Sequence, residues 1–242
     1  MQIVGATDIG KVRTINEDCF DHGIFDDGTA WAVVCDGMGG VRGGYIASNL
    51  VLGLVSEKIK KCYNKLMPSF SFENVFLSTI TTANVIVHDR SFTDEDLKGM
   101  GTTIAAAIVK DGNACIAHVG DSRVYKISGK SISQVTKDHS LAQEMLDNGQ
   151  LTQEEFKNYP KKNIITRALG VDENIDIDFD FTSLEEGEAL ILCSDGLSGL
   201  VSDEEILEIY NNSDFNDVCH KYIETANNNG GYDNITVVVM KG

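Results

Sequence analysis

The sequence has little of what marks secreted, fibrous or membrane proteins. Its 6 cysteines include no pair at CxxC spacing, and only 2 of its 242 residues are proline. No apolar run approaches the ~20 residues that span a bilayer, and residues 1–10 lack the basic and apolar stretches of a secretory signal. We therefore expect reduced thiols, no zinc ribbon, no membrane insertion and a cytoplasmic location.

Basic residues are also scarce. Lys and Arg number 20 against 37 Asp and Glu, which gives a net charge of −17. A field of that sign repels polyanions, so we expect no nucleic-acid partner. The 42% hydrophobic content is ordinary for a globular protein, and we find no repeat, linker or low-complexity tract. We expect a single domain over residues 1–242.

Apolar patterning predicts both strands and helices. Ala30 to Cys35 and Ala189 to Cys193 are continuous apolar runs, which is typical of strands buried on both faces. Residues 103–109 and 114–119 flank an Asp-Gly turn, which favours an antiparallel hairpin. Helical periodicity predicts two adjacent helices over 46–55 and 72–87, and capping boxes at Thr152/Glu155 and Ser202/Glu205 predict two more. Because strands and helices come in blocks, we expect an α+β layered sandwich.

Aspartates adjoin several of these strands. They are Asp18, Asp36, Asp121, Asp195 and Asp233. One such residue alone is best explained by a turn or a helix cap. Five carboxylates meeting where strands end would repel one another unless hard cations lay between them, and oxygen ligands select Mg²⁺ or Mn²⁺.

A series of short motifs then identifies a family resemblance. In chain order they are Thr7-Asp8-x-Gly10-x-x-Arg13-x-x-Asn16-Glu17-Asp18, Asp36-Gly37-Met38-Gly39-Gly40, Gly101-Thr102-Thr103, Gly120-Asp121-Ser122-Arg123, Asp138-His139-Ser140, Thr166-Arg167-Ala168-Leu169-Gly170, Ser194-Asp195-Gly196-Leu197 and Asp233-Asn234. Together they resemble the bacterial PP2C-like (PPM) metal-dependent protein serine/threonine phosphatases. The resemblance implies a four-layer αββα sandwich, with two central antiparallel β-sheets flanked by helix pairs and a small helical flap at about 138–167.

The resemblance also implies roles for individual residues. Asp36 is expected to bridge two metal ions, with Asp195 and Asp233 on one ion and the Gly37 carbonyl on the other. Glu17 and Asp18 are expected to act partly through water. Asp121, together with Asp195, is expected to hold a weaker third ion.

Arg13 resembles the family's phosphate-binding arginine, whose planar fork matches two phosphate oxygens. With Asp36 it forms the expected catalytic pair. Two Mg²⁺ or Mn²⁺ ions would activate a bridging water for attack on phosphoserine or phosphothreonine. No cysteine nucleophile is implied, since no Cys precedes Arg at the C-x₅-R spacing. The expected partners are phosphoproteins, either substrates of a Ser/Thr kinase or including that kinase, and the chain is expected to be a monomer.

Two positions depart from the family pattern. After Asp36-Gly37-Met38-Gly39-Gly40 the family usually has His, and here Val41 stands. Four residues later it usually has Glu, and here Tyr45 stands. Val41 removes a residue considered for protonating the leaving group, and Tyr45 removes support for the ligands.

Other functions remain open on the sequence alone. One is a catalytically weakened PP2C-like regulatory or phosphoprotein-binding module. Asp178-x-Asp180-x-Thr182 matches the DxDxT nucleophile pattern of haloacid-dehalogenase-type phosphatases, but the alternation before it is more typical of a half-wet strand. His88-Asp89 occurs in HD-type phosphohydrolases, but a surface pair explains it better. The missing Gly-Asn-His argues against calcineurin-like enzymes.

Overall fold

The computed structural model describes residues 1–157, 159–161 and 163–242, with only the backbone of residues 40, 41 and 157. The strands are β1 (Gln2–Asp8), β2 (Asp18–Ile24), β3 (Ala30–Met38), β4 (Gly101–Thr102), β5 (Ile104–Lys110), β6 (Asn113–Val119), β7 (Arg123–Ser128), β8 (Ser131–Gln134), β9 (Asp178–Ser183), β10 (Ala189–Cys193) and β11 (Ile235–Lys241). The helices are α1 (Gly40–Cys62), α2 (Ser71–Thr93), α3 (Leu141–Asp147), α4 (Gln153–Lys157), α5 (Asp195–Ser198), α6 (Asp203–Asn212) and α7 (Val218–Asn228), with a 3₁₀ turn at Glu95–Leu97.

The strands form two sheets in which every pair is antiparallel. One sheet has the order β1-β11-β10-β7-β8. The other has the order β2-β3-β5-β6-β9, with the short β4 paired to β3. Neighbours in space are mostly neighbours in sequence, as hairpin connections require.

The inner strands are apolar throughout because both of their faces are buried. In β3, Ala30, Ala32 and Val34 face the space between the sheets, whereas Trp31 and Val33 face the layer outside. The same alternation divides β5, β10 and β11 between the central layer and an outer layer. A period of two along each strand therefore builds two hydrophobic layers at once.

Helices cover both outer faces. Ala47, Val51 and Val55 of α1 and the apolar stripe of α2 pack on the β3 side. On the other side, α7 packs against β1 and β11, and α6 packs against β8 and α7. The αββα sandwich predicted from the sequence is therefore confirmed.

Both predicted capping boxes form, since Ser202 and Glu205 exchange hydrogen bonds at α6 and Thr152 and Glu155 do so before α4. The half-wet strand expected around the Asp178-x-Asp180-x-Thr182 pattern is β9, which begins at Asp178 opposite His118. Ile175 and Ile177, which precede it, pack against the α1/α2 core, as does Phe179 within the strand. No helix within the described ranges is long and apolar enough to cross a membrane.

Candidate metal centre and phosphate site

Five predicted aspartates lie at one edge of the sandwich. Asp18 begins β2 and is the cross-strand partner of Asp36 in β3. Asp121 lies in the turn between β6 and β7, and Asp195 follows β10 as the first residue of α5. Asp233 precedes β11. The antiparallel layering thus brings carboxylates from both sheets to a single place.

Four of them, Asp36, Asp121, Asp195 and Asp233, line a cleft of about 340 Å³, and Asp18 lies behind Asp36 as its cross-strand partner. The lining also includes Gly37, Met38 and Gly39 after Asp36, and Thr103 on its floor. Asn163 and Ile165 close one side. Among the described residues that line it, Arg13 is the only one with a cationic side chain.

Burial and mutual repulsion make the carboxylates hard to ionise together. Burial raises the pKa of Asp36 well above its usual range, and the charges of Asp18, Asp195, Asp121 and Asp233 raise it further. Burial raises the pKa of Asp18 to about 7 and that of Asp195 to about 6. The pKa of Asp121 is also raised well above its usual range, by burial and then by Asp195. Such a cluster favours a bound cation.

Hydroxyl groups connect the aspartates to the sheets. Thr103 Oγ1 accepts a hydrogen bond from the Asp36 backbone N–H at 3.0 Å and lies 2.7 Å from Ser122 Oγ. Ser194 Oγ donates to Asp18 Oδ2 at 2.6 Å and accepts from the Thr236 N–H at 3.0 Å. Each hydroxyl therefore holds an acidic segment at a fixed distance from a neighbouring strand.

The loop that carries Arg13 and Glu17 is held by Asn234. Its Nδ2 donates to the carbonyls of Ile9 and Ile15 at 2.9 and 3.0 Å, and its Oδ1 accepts from the Glu17 N–H at 2.9 Å. Glu17 Oε1 is buried and lacks a hydrogen-bond partner in the part of the chain described. Burial also raises the pKa of Glu17. An orphaned carboxylate oxygen at this position suits a cation or its water.

Gly37 is required by a close approach of two backbones. A Cβ at Gly37 would lie 2.2 Å from the Gly44 carbonyl oxygen, and one at Gly44 would lie 2.5 Å from Glu17 Oε1. Only glycine allows the first turn of α1 to lie against the end of β3. The same contact keeps the Gly37 main chain beside the cleft.

The two arginines near the cleft differ in their partners. Arg13 Nη2 donates to Asp233 Oδ2 at 2.7 Å, and its side chain is 49% exposed. Arg123 instead forms a two-pronged contact with Asp138 and donates to the Tyr125 hydroxyl. Because Asp138 and Tyr125 engage the Arg123 guanidinium, Arg13 is the arginine of the two that an incoming anion can reach.

The donor set fits a hard divalent cation. Every candidate ligand is an oxygen, from carboxylates or from the Gly37 carbonyl, as Mg²⁺ and Mn²⁺ prefer. No three His, Cys, Asp or Glu side chains in the described ranges already converge as a coordination sphere. The Asp195 carboxylate instead hydrogen-bonds Asp36, and Asp233 pairs with Arg13. The fit therefore rests on the donor chemistry, the shared burial and the orphaned Glu17 oxygen.

The segment predicted as a flap lies beside this cleft. Within 138–167 the chain forms α3 and α4, and its two ends meet in a bridge between Ser140 and Ile165. Asn158 and Lys162 lie outside the described residues. Of the two departing positions, the side chain of Val41 is outside the description as well, and that of Tyr45 is 51% exposed.

Thr103, Ser194 and Asn234 belong to the motifs of the family resemblance, but the sequence did not predict a role for them. Hydroxyl and amide side chains next to ligand aspartates are a signal that could have found them. The DxDxT pattern forms no site, because Asp178 on β9 pairs with His139 and Arg167. His88 lies 3.9 Å from Asp89 on α2, and the Asp89 side chain is 74% exposed.

Comparison with known proteins covers nearly the whole chain. A family model described as protein phosphatase 2C matches residues 9–238. The serine/threonine phosphatase stp of Listeria monocytogenes is 37% identical over 238 residues, 97% of this chain and 93% of that protein. Protein phosphatase PhpP of Streptococcus pneumoniae is 37% identical over 241 residues, 99% of this chain and 97% of that protein.

Solved structures agree. The S. agalactiae serine/threonine phosphatase superposes with a TM-score of 0.91 at 34% identity and covers 98% of both chains. The catalytic domain of the serine threonine protein phosphatase PstP, solved in complex with 2 manganese ions, has a TM-score of 0.85 at 32% identity. That match covers 98% of this chain and 96% of PstP's.

Proposed function

The chain belongs to the protein phosphatase 2C family, and we propose that it removes phosphate from proteins at the edge defined by Asp36, Asp195 and Asp233. It is a metal-dependent protein serine/threonine phosphatase. The alternative of a non-catalytic binding module lacks support, because the relatives are named phosphatases.

We assign the ligands as follows. Asp36 would be shared by two ions, Asp195 and Asp233 would help to hold one of them, and the Gly37 carbonyl would help to hold the other. Asp18 and Glu17 act partly through water. The support is the cross-strand pairing of Asp18 with Asp36, and the repulsion that raises the pKa of Asp36.

When bound, two such cations lower the pKa of a shared water and neutralise the phosphate charge in an in-line displacement. The chain supplies the rest of the chemistry by position. The Thr103 hydroxyl accepts a hydrogen bond from the Asp36 N–H and so positions Asp36. The Ser194 hydroxyl donates to the Asp18 carboxylate and so positions Asp18. None of the described residues that line the cleft is a cysteine, so no thiol there competes as nucleophile.

Arg13 binds the phosphate of the substrate. Its hydrogen bond to Asp233 raises its pKa, so it is a permanent cation at the mouth of the cleft. One prong of the guanidinium contacts Asp233, and the remaining donors can reach two phosphate oxygens. This contact orients the phosphorus with respect to the ligand aspartates.

Finer assignments complete the proposal. Residues 138–167 form a flap beside the cleft within one domain over 1–242. Asp121 and Asp195 would hold a third, weaker ion; burial and then the negative charge of Asp195 raise the pKa of Asp121, and a cation would offset that repulsion. The substrates are phosphoproteins that a Ser/Thr kinase has phosphorylated, or the phosphorylated kinase itself. The enzyme acts as a monomer, and a cytoplasmic location remains a prediction.

One observation carries the proposal: four aspartates line one cleft together with an arginine, and a fifth, Asp18, is the cross-strand partner of Asp36. The test is hydrolysis of a phosphothreonine peptide with Mn²⁺ and with excess chelator. Asp36→Asn should abolish turnover while the circular dichroism spectrum is kept, and the exposed Asp89→Asn should behave as wild type. Full activity in chelator, or in Asp36→Asn, would overturn the assignment.

A further inference from the structure

His139 makes contacts that the proposed chemistry does not use. It belongs to the motif Asp138-His139-Ser140 and is only 7% exposed. Its ring Nδ1 accepts a hydrogen bond from the Gly120 N–H at 3.0 Å. Its own backbone N–H donates to the Gly120 carbonyl at 2.7 Å. One histidine therefore holds both polar groups of the residue that precedes Asp121.

These contacts fix the tautomer of the ring. Because Nδ1 accepts from Gly120, the proton of the neutral ring lies on Nε2, which is 3.2 Å from Asp178 Oδ2 and 3.1 Å from Arg167 Nη1. Arg167 Nη1 donates to the other Asp178 oxygen at 2.7 Å. Burial lowers the pKa of His139, which keeps the ring neutral. Both ring nitrogens are thus used, one toward Gly120 and one toward β9.

The neighbouring His118 does not compete for these bonds. Its ring lies 4.8 Å from the His139 ring, between centroids, and burial lowers its pKa to about 4. It packs against His139 as a neutral ring.

Both ends of the 138–167 segment converge on the same residue. The Thr166 N–H donates to the His139 carbonyl at 2.9 Å, next to the Ser140–Ile165 bridge. Gly120 has a φ of 111°, and a Cβ there would lie 2.5 Å from Thr103 Cγ2. Gly120 has no side chain, so His139 holds the turn to the base of the segment on the N-terminal side of Asp121, whereas Arg123 and Asp138 connect the two on its C-terminal side.

We propose that His139 is a positioning residue that fixes the Asp121 carboxylate at the metal centre by gripping the Gly120 peptide from the base of the 138–167 segment. The proposal rests on the proposed function, in which Asp121 is a ligand of the weaker ion. Loss of the grip should weaken binding of that ion about 10- to 100-fold, as the loss of ligand-orienting contacts does elsewhere. The ions held by Asp36 should keep their affinity.

Two conservative variants separate the grip from simple packing. In His139→Asn the amide oxygen can take the place of Nδ1 and accept from Gly120, but the contact to Asp178 is lost. In His139→Gln the longer side chain can reach Asp178, but the acceptor for Gly120 is lost. A residue that served only to fill space would be replaced equally well, or equally poorly, by both.

The experiment counts bound Mn²⁺ in the whole protein by the electron paramagnetic resonance signal of free Mn²⁺. Variants are His139→Ala, His139→Asn and His139→Gln, with Asp121→Asn as the reference for loss of the weaker class. The exposed His220→Ala is the matched control, and thermal unfolding reports folding in each case. We expect His139→Ala and His139→Gln to raise the Mn²⁺ midpoint of the weaker class at least tenfold. His139→Asn should stay within about threefold of wild type.

The outcomes are separable. If wild type binds no Mn²⁺, or Asp36→Asn binds as wild type does, the proposed function fails. If Asp121→Asn loses a class of ions while the Asn and Gln variants share one midpoint, the function stands and the role of His139 is overturned. If Asp121→Asn loses no class of bound ions, Asp121 is not a ligand, and the role of His139 is overturned with it. Should His139→Ala unfold, the Asn and Gln pair decides alone.

Discussion

Arg13 Nη2 lies 2.7 Å from Asp233 Oδ2, so the side chain proposed to hold phosphate is hydrogen-bonded to a carboxylate proposed to hold a metal. The loops that carry them also touch, since the Lys11 N–H donates to the Gly231 carbonyl at 2.8 Å. This one contact therefore links the proposed phosphate-binding residue to a proposed metal ligand. A change at either residue is expected to affect both.

Arg13→Ala should raise KM for a phosphothreonine peptide about 10- to 100-fold and lower kcat by less. A hydrogen bond to a charged group contributes ~1.5–3 kcal/mol, and 1.4 kcal/mol is a factor of ten. If the arginine grips phosphate in the ground and transition states alike, the loss is in binding. Steady-state kinetics at saturating Mn²⁺ measures it. Lys11→Ala is the control, and an unchanged KM would remove Arg13 from the site.

Ser194→Ala should weaken Mn²⁺ binding about 10- to 100-fold without changing the fold. The variant removes the hydroxyl that donates to Asp18 and leaves the Thr236 N–H without its acceptor. Calorimetric titration of Mn²⁺ measures the change. Ser198→Ala, at the other end of the α5 turn that Ser194 caps, is a control that leaves the contact to Asp18 intact. Equal affinity in both variants would contradict the role of Ser194.

The stabilisation that Mn²⁺ gives should grow as the pH rises from 5.5 to 8. The folded-state pKa is about 7 for Asp18 and about 6 for Asp195, above the ~3.9 of an unfolded aspartate. In chelator the folded state therefore binds more protons than the unfolded state between about pH 4 and 7. These groups thus make the free energy of unfolding fall as the pH rises.

Carboxylates that ligate a cation stay deprotonated, so this dependence should be lost in Mn²⁺. The measurement is Tm with Mn²⁺ minus Tm with chelator at each pH, in which other titrations cancel. Asp18→Asn should flatten the rise. A difference that is constant with pH would mean that these aspartates titrate normally.

Val41→His should raise kcat on phosphothreonine peptides more than on an aryl phosphate. An alkoxide leaving group needs a proton, whereas an aryloxide is a weaker base, and a positioned acid contributes ~10²–10⁴-fold. Measuring kcat for both substrates from pH 6 to 9 brackets the ordinary histidine pKa of ~6.5. Val41→Asn serves as the control for a polar side chain that is not an acid. Equal gains on both substrates would mean that position 41 affects binding or metal geometry and does not supply the proton.

Much of the fold follows from local patterns in the sequence. The run Ala30 to Cys35 is apolar at every position because alternate side chains enter two different layers, and this period is visible without a structure. Asp36 directly follows that run, so its place near the end of the strand was predictable, although β3 continues to Met38. Its cross-strand partner Asp18 was predicted as a ligand from the motif, but their pairing depends on register.

Contacts between the two sheets were out of reach of the sequence. Ser194 and Asn234 stand next to predicted ligands in the sequence, but the partners that they meet, Asp18 and the Glu17 loop, lie on the other sheet and far away in sequence. The grip of His139 on Gly120 depends on where the chain returns after β8. Such contacts are set by how layers dock, which hydrophobic periodicity does not specify.

The position of β11 has a consequence for how the enzyme is made. This strand, Ile235–Lys241, lies between β1 and β10, and Asp233 immediately precedes it. A nascent chain on the ribosome that ends before residue 233 lacks both a ligand and the strand that joins the first segment of the chain to the rest of its sheet. Chains grow from the N-terminus, so phosphatase activity should switch on only when translation passes this strand. A fragment that ends before residue 233, whether from incomplete translation or from proteolysis, would have no phosphatase activity.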